Sequence, residues 1–144
     1  MAKKQQIELL SKVFWEGGLK TRATIRGFEV ETDKPRTYYG TNLAPAPTEV
    51  FLSSIGACLM TTFIAAARRS HIVLEECTVG MHATYDGTDT KEALESADFE
   101  FTVWAKEEYK GRAKRCFDIA RTTCPLTKVV KFPVNVTMKF IAEK

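Results

Sequence analysis

An α+β fold is predicted by three features of this 144-residue chain: a long apolar stretch at its centre, β-rich runs on either side of it, and a change from a period of two to helical spacing in its last third. The central stretch, Pro47 to Ala67, PTEVFLSSIGACLMTTFIAAA, is apolar or small at nearly every position. A helix made from it has no broad face suited to water and belongs inside a core. Pro47 fits the first helical position, where a missing N–H costs nothing, and Glu49 falls in the first turn, where the helix dipole favours a carboxylate. Arg68 and Arg69 close the segment at its negative end. Ser53, Ser54, Gly56 and Ala57 leave a low-profile patch for another backbone or helix, and Cys58 follows it directly.

Before this helix, Gln6 to Trp15 and Leu19 to Val30 flank Glu16-Gly17-Gly18, which reads as a hairpin. In the second run Arg22, Thr24 and Arg26 share one face and Ala23, Ile25 and Gly27 the other, so one face is cationic. A third strand over Phe28 to Thr32 ends at Asp33-Lys34-Pro35. A loop from Arg36 to Pro47 follows, carrying Tyr38, Tyr39 and Gly40, and Pro35, Pro45 and Pro47 keep it extended.

After the helix, Ile72 to Tyr85 is β-rich, and Thr88 to Ala97 is polar and acidic and reads as an exposed excursion. Phe99, Phe101, Val103 and Ala105 alternate with Glu100, Thr102, Trp104 and Lys106, the period of a half-buried strand. From Glu107 to Arg121 the apolar residues Tyr109, Ala113, Cys116, Phe117 and Ala120 recur at helical spacing. Thr122 and Thr123 break that pattern, and Cys124-Pro125-Leu126-Thr127 opens a short second helix through Lys131. Val134 to Ile141 alternates as a final strand.

The length suits a single domain, residues 1–144, able to bury roughly two thirds of its unfolded surface. A net charge of +3 with interspersed signs carries no nucleic-acid signature. The N-terminal MAKKQQIELL lacks the apolar run of a secretory signal, and hydroxyl and small residues dilute the central helix as a membrane span. These features point to a cytoplasmic protein. Four cysteines, Cys58, Cys77, Cys116 and Cys124, without a secretory signal argue against a structural disulfide framework. Their spacings match no zinc pattern, nor do His71 and His82 complete one. No metal, flavin or nucleotide is implied.

Two of these thiols stand in informative settings. A proline directly after Cys124 fits a helix start, which makes Cys124 the N-cap and aims N–H groups and the positive dipole end at its sulfur, favouring the thiolate. The apolar helix around Cys58 raises a thiol pKa, so a reactive Cys58 needs a basic partner; Arg22 and Arg26 are the candidates, with Glu49 to hold one in place. Cys77 and Cys116 lack such support and read as core residues. His71 and His82 read as ordinary polar or capping residues, and Glu49 has a second reading of equal weight, in which it only complements the dipole.

The pattern aPaPTEvflssiGACl in a central helix, followed by strands, a helix and CPLtKvv, resembles the OsmC/Ohr family, the osmotically inducible and organic hydroperoxide resistance proteins. Its overall look, with PTEVFLSSIGAC and the DKP loop, is nearer the general OsmC-like branch. The resemblance implies the OsmC-like fold: N-terminal antiparallel strands, a long buried central helix, and C-terminal strands with two further helices, in an intertwined homodimer. It implies that Cys58 is the peroxide-attacking thiolate and Cys124 the resolving thiol at the dimer interface, with an arginine (Arg22, Arg26 or Arg36) and Glu49 activating Cys58. The glutamate of the family's dedicated peroxidases directly follows the proline, whereas here Thr48 intervenes, a shift of about 100 degrees around a helix. The expected function is a thiol-dependent peroxidase acting on organic hydroperoxides, regenerated by an external dithiol. Tyr38, Tyr39, Phe51, Leu52 and Ile55 would line its apolar substrate site. The alternative is a homodimeric binding module or redox sensor with an apolar ligand pocket.

Overall fold

Turn chemistry sets the first strands. β1 (Lys12–Trp15) and β2 (Thr21–Ile25) pair antiparallel, Val13 opposite Ala23 and Trp15 opposite Thr21. Gly17 and Gly18 supply φ of 92° and 55° in the connection, values open to glycine at little cost. The Glu16 N–H donates to the Lys20 carbonyl at 2.9 Å and the Lys20 N–H to that of Gly17 at 2.9 Å. The strand expected from Gln6 begins only at Lys12. By then Thr24 already lies opposite Lys12, and β2 has one residue left before it turns, so the earlier residues have no partner strand there. Ile7, Leu9 and Leu10 are exposed.

The computed structural model describes residues 5–88 and 91–143; Lys3, Lys4 and residues 89–90 of the polar excursion lie outside them. The chain divides into two compact units, residues 1–51 and 52–144. In the first unit the run Leu19 to Val30 is not one strand. Arg26 and Gly27, with φ of 52° and 87°, make a two-residue turn, and Ile25 pairs with Phe28 across it. β3 (Phe28–Thr32) completes a sheet of order β1-β2-β3. The register puts Val13, Trp15, Ala23, Ile25, Phe28 and Val30 on one face and Lys12, Phe14, Arg22, Glu29 and Glu31 on the other.

Asp33 gathers the loop that follows. Its buried carboxylate accepts the N–H groups of Lys34 (2.7 Å), Leu43 (3.1 Å) and Thr41 (3.4 Å) and the Thr41 hydroxyl. The Thr41 hydroxyl first, then the Leu43 N–H, hold its pKa down at about 2. Gly40 is obligatory here, because a Cβ would fall 1.9 Å from the Lys34 carbonyl oxygen.

α1 spans Pro47–Arg69, with Pro47 at its first position as the sequence predicts. Its C-terminus is capped by the 6→1 bond from the Ile72 N–H to the Ala67 carbonyl and the 5→2 bond from the His71 N–H to that of Arg68, with His71 left-handed at φ 53°. His71 is thus a capping residue. In the second unit β4 (Leu74–Thr88) and β5 (Lys91–Lys106) form a long antiparallel ribbon, and β6 (Val134–Glu143) runs parallel to β5, giving the order β4-β5-β6. The polar stretch expected as an excursion is strand on both sides of residues 89–90. Its pairing continues the ladder, Tyr85 opposite Leu94 and Ala83 opposite Ala97. Backbone hydrogen bonds hold such a ribbon even where its side chains are polar.

The core of this unit lies where the alternation of β5 predicts. Ala97, Phe99, Phe101, Val103 and Ala105 are all buried, facing Leu52, Ile55, Leu59 and Phe63 of α1 and Ala113, Cys116, Phe117 and Ala120 of α2 (Lys110–Thr123). Phe101 joins the layers, 5.4 Å from the Phe63 ring and 5.7 Å, edge-on, from that of Phe117. Arg112 donates to the Ser70 carbonyl at 2.8 Å, tying α2 to the end of α1. α1 is not enclosed all round: Phe51, Ser53, Ser54, Ala57, Thr61 and Ala65 are exposed, while Gly56 packs against Phe99 and Val79.

Candidate thiol site

About three turns into α1, Cys58 is half-buried at the edge of the second unit's core. Cys124, fully buried, meets it: its Sγ donates to the Cys58 Sγ at 3.3 Å across 66 positions of sequence. Both cysteines are free thiols.

The local structure at Cys124 reverses the expectation for it. α2 runs through Thr122 and Thr123, whose hydroxyls bond back to the Asp118 carbonyl (2.7 Å) and the Ile119 carbonyl (2.6 Å) instead of breaking the helix. Cys124 is the C-cap of α2, its N–H on the Ala120 carbonyl at 3.0 Å, and residues 125–129 form turns, not a second helix. The cause is Pro125. Its ring bars the preceding residue from helical ψ, and Cys124 sits at φ −58°, ψ 117°. Proline here ends a helix where the sequence reading had it start one. Cys124 stands at the negative end of α2 and starts no helix, so the dipole argument for it does not apply.

Burial pushes the Cys58 pKa up, with the Cys124 thiol adding to the rise. The Leu126 backbone N–H and the Thr62 hydroxyl act in the opposite sense. The sequence reading missed both donors. Each left a signal: Thr62 is four residues after Cys58, on the same helix face, and Leu126 carries the first N–H after Pro125, which has none. In the resting arrangement the Thr62 hydroxyl donates to the Cys58 carbonyl at 2.8 Å.

In the first unit Arg22 is held by Glu16, Nε to Oε1 at 2.7 Å, and by Glu29 at 3.2 Å, and lies over the Phe14 ring. Glu16 is the chief cause that raises its pKa further. The face expected to be cationic is therefore mixed, because β3 contributes Glu29 and Glu31, the latter paired with Lys20 at 3.3 Å. Arg26 occupies the turn, not a strand face, with its guanidinium over the Phe28 ring. Arg36 lies in a single 3₁₀ turn with Thr37 and Tyr38. Glu49 accepts the Ala46 N–H at 2.6 Å, the reach-back of a capping box.

Of the expected substrate contacts, Tyr38, Tyr39 and Phe51 are exposed, whereas Leu52 and Ile55 are core residues. Leu52 and Ile55 belong to the cluster of buried residues that also holds Phe99 and Phe101 of β5. Cys116 is buried, its Sγ 3.4 Å from the Ser70 Oγ, and burial alone pushes the Cys77 thiol up to about 11. Among the described residues no group of three or more His, Cys, Asp or Glu side chains is gathered as a metal site requires.

The fold and the paired thiols together define an α+β protein with a long helix laid on a β-sheet and a cysteine pair at its edge. The OsmC-like protein family matches residues 40–139, and the chain belongs to that family. Solved structures share its fold. A putative osmotic stress induced and detoxification response protein from Psychrobacter arcticus is 21% identical with a TM-score of 0.78, over 96% of this chain and 99% of that one. An organic hydroperoxide resistance protein from Elizabethkingia anophelis, with thiocyanate bound, is 17% identical with a TM-score of 0.72, over 96% and 99%. A putative organic hydroperoxide resistance protein from Vibrio cholerae, with captopril in one of its active sites, is 19% identical with a TM-score of 0.69, over 95% of each chain. No curated protein matches the sequence.

Proposed function

We propose that the protein is a thiol-dependent peroxidase that reduces organic hydroperoxides. The observation that carries this reading is the 3.3 Å approach of two free thiols from opposite ends of the second unit. Cys58, the accessible member, attacks the O–O bond as a thiolate; the alcohol leaves with a proton and the sulfur becomes a sulfenic acid. The Cys124 sulfur then attacks that sulfenic sulfur, water leaves, and a disulfide forms. An external dithiol returns two electrons and two protons. Leu126 N–H and Thr62 Oγ1 are the neutral donors available to the Cys58 thiolate.

An arginine completes the site, holding the thiolate charged and stabilising the departing alkoxide. Arg22 and Arg26 are the candidates, with Glu49 orienting one of them through the carboxylate oxygen that its capping bond leaves over. Tyr38, Tyr39 and Phe51 offer the apolar contacts for an alkyl or lipid peroxide. The working unit is an intertwined cytoplasmic homodimer, each site drawing on both chains. Two exposed apolar features support it: Val13, Trp15, Ile25 and Phe28 on one face of the first sheet, and the small residues Ser54, Ala57, Thr61 and Ala65 along α1. Names of relatives agree, since two of them are hydroperoxide resistance proteins and one holds captopril, itself a thiol, in an active site.

The test is repeated turnover of cumene hydroperoxide with a dithiol present. Wild type is expected to turn over, Cys58→Ser to lose all of it, and one equivalent of peroxide to leave a Cys58–Cys124 bond in the peptide mass map. Absence of turnover with retained binding of an apolar ligand would replace this reading with that of a binding module.

A further inference from the structure

Cys58 and Cys124 are placed as ligands as well as reactants. Their sulfurs lie 3.3 Å apart and come from two different elements, the middle of α1 and the C-cap of α2. Cys124 is fully buried and Cys58 half-buried, so the pair is approached from the Cys58 side. Neither element brings a charge to the spot: every residue between Glu49 and Arg68, and between Arg121 and Lys128, is uncharged. The groups that reach the Cys58 sulfur, the Leu126 N–H and the Thr62 hydroxyl, favour its thiolate form. The other two cysteines stand elsewhere, Cys116 against Ser70 at 3.4 Å and Cys77 on β4 opposite Val103. Among the described residues no third His, Cys, Asp or Glu joins the pair.

We propose that the Cys58–Cys124 pair binds one soft monovalent cation, Cu(I), between its two sulfurs. Such binding goes beyond peroxide reduction and does not depend on it. Closed zinc-type sites surround the ion with four ligands, and for an ion of that kind a gathering of three or more side chains is the requirement. A soft cation that accepts two ligands in line has no such need, and thiolates are the ligands that select Cu(I). In the step two S–H bonds break, two S–Cu bonds form and two protons leave for solvent; the copper stays Cu(I), so nothing is oxidised or reduced. Both protons are there to leave, since Cys124 donates its own toward Cys58 and burial keeps Cys58 in the thiol form at neutral pH. A linear unit spans twice a thiolate–metal bond of about 2.3 Å, so the sulfurs part by about 1.3 Å from their 3.3 Å separation, a shift that rotation about a Cα–Cβ bond covers. The negative charge left on the two thiolates is met by the Leu126 N–H and the Thr62 hydroxyl. Cation and disulfide exclude each other, because each uses both sulfurs.

The test titrates reduced, anaerobic protein into the Cu(I) complex of bathocuproine disulfonate, whose loss of colour counts the copper taken up. Wild type is expected to take one Cu(I) per chain, and X-ray absorption at the copper edge to read two sulfur neighbours. Cys58→Ser and Cys124→Ser should each weaken uptake by on the order of 10²–10⁴-fold, the advantage of two tethered ligands over one. The double variant Cys77→Ser, Cys116→Ser should take up copper as wild type does. An excess of Zn(II) should displace none of it, and bound Cu(I) should protect the pair from oxidation by diamide. Copper left on the chelator by wild type, undiminished uptake in either single variant, displacement by Zn(II), or three or more sulfur neighbours overturns the proposal. Should a serine variant fail to fold, the sulfur count in wild type decides. Uptake without turnover of cumene hydroperoxide upholds the cation site and ends the peroxidase reading; turnover without uptake does the reverse.

Discussion

Closing the Cys58–Cys124 bond should stabilise the protein by an amount that the structure lets one work out. The two sulfurs need move only from 3.3 Å to bonding distance, so little native strain is expected, and the bond closes a loop across 66 positions. The chain-entropy relation then gives about 4 kcal/mol at 25 °C, taken from the unfolded ensemble. For a chain of this length that is a rise of roughly 8–16 °C in Tm. The assay is thermal and urea unfolding of diamide-oxidised protein, of reduced protein, and of Cys124→Ser with and without oxidant. Only the wild type should show the gain, and a reductant should abolish it. An oxidised form within about 1 kcal/mol of the reduced one would refute the reasoning, since it would mean that native strain cancels the closure entropy.

Phe101→Ala should destabilise by about 3–5 kcal/mol in urea, because that ring joins Phe63 and Phe117 with no exposed surface of its own. Asp33 has a folded pKa of about 2, below its ordinary value. Its contribution is therefore complete above the unfolded pKa and disappears as pH falls toward 2. Wild type should lose urea resistance across that acid window, and Asp33→Asn should start weaker and lose less there. Gly56→Ala adds a Cβ no closer than 3.7 Å to Phe99 or Val79 and should raise stability by up to about 1 kcal/mol. Gly40→Ala, which puts a Cβ 1.9 Å from a backbone oxygen, should lower the urea midpoint sharply.

The position and ends of the central helix were legible from local chemistry, though its exposed face was not: Pro47 at its start, Glu49 reaching back to the Ala46 N–H, and basic residues at its end are all near-neighbour effects. The buried alternation of β5 and the buried stripe of α2 were legible for the same reason, since hydrophobic period and burial are two aspects of one fact. Legibility failed where a residue type has two uses. Pro125 serves equally to begin a helix or to end one, and only the back-bonding of Thr122 and Thr123 shows that α2 reaches it. Arg22 looked available because its acids come from another strand and a turn, brought beside it by register.

The amino-acid sequence by itself determined the central helix, the buried faces of β5 and α2, and that Cys58 and Cys124 are the cysteines with informative neighbours, because these depend on contacts a few residues apart. Only the tertiary structure decided that the two thiols meet at 3.3 Å and that the Leu126 N–H, which favours the Cys58 thiolate, comes to that site. It also decided that Leu52 and Ile55 belong to the core and that acids claim Arg22. The physical reason is distance along the chain: proximity across 66 positions is set by how the packed layers close on one another, and no local pattern encodes it.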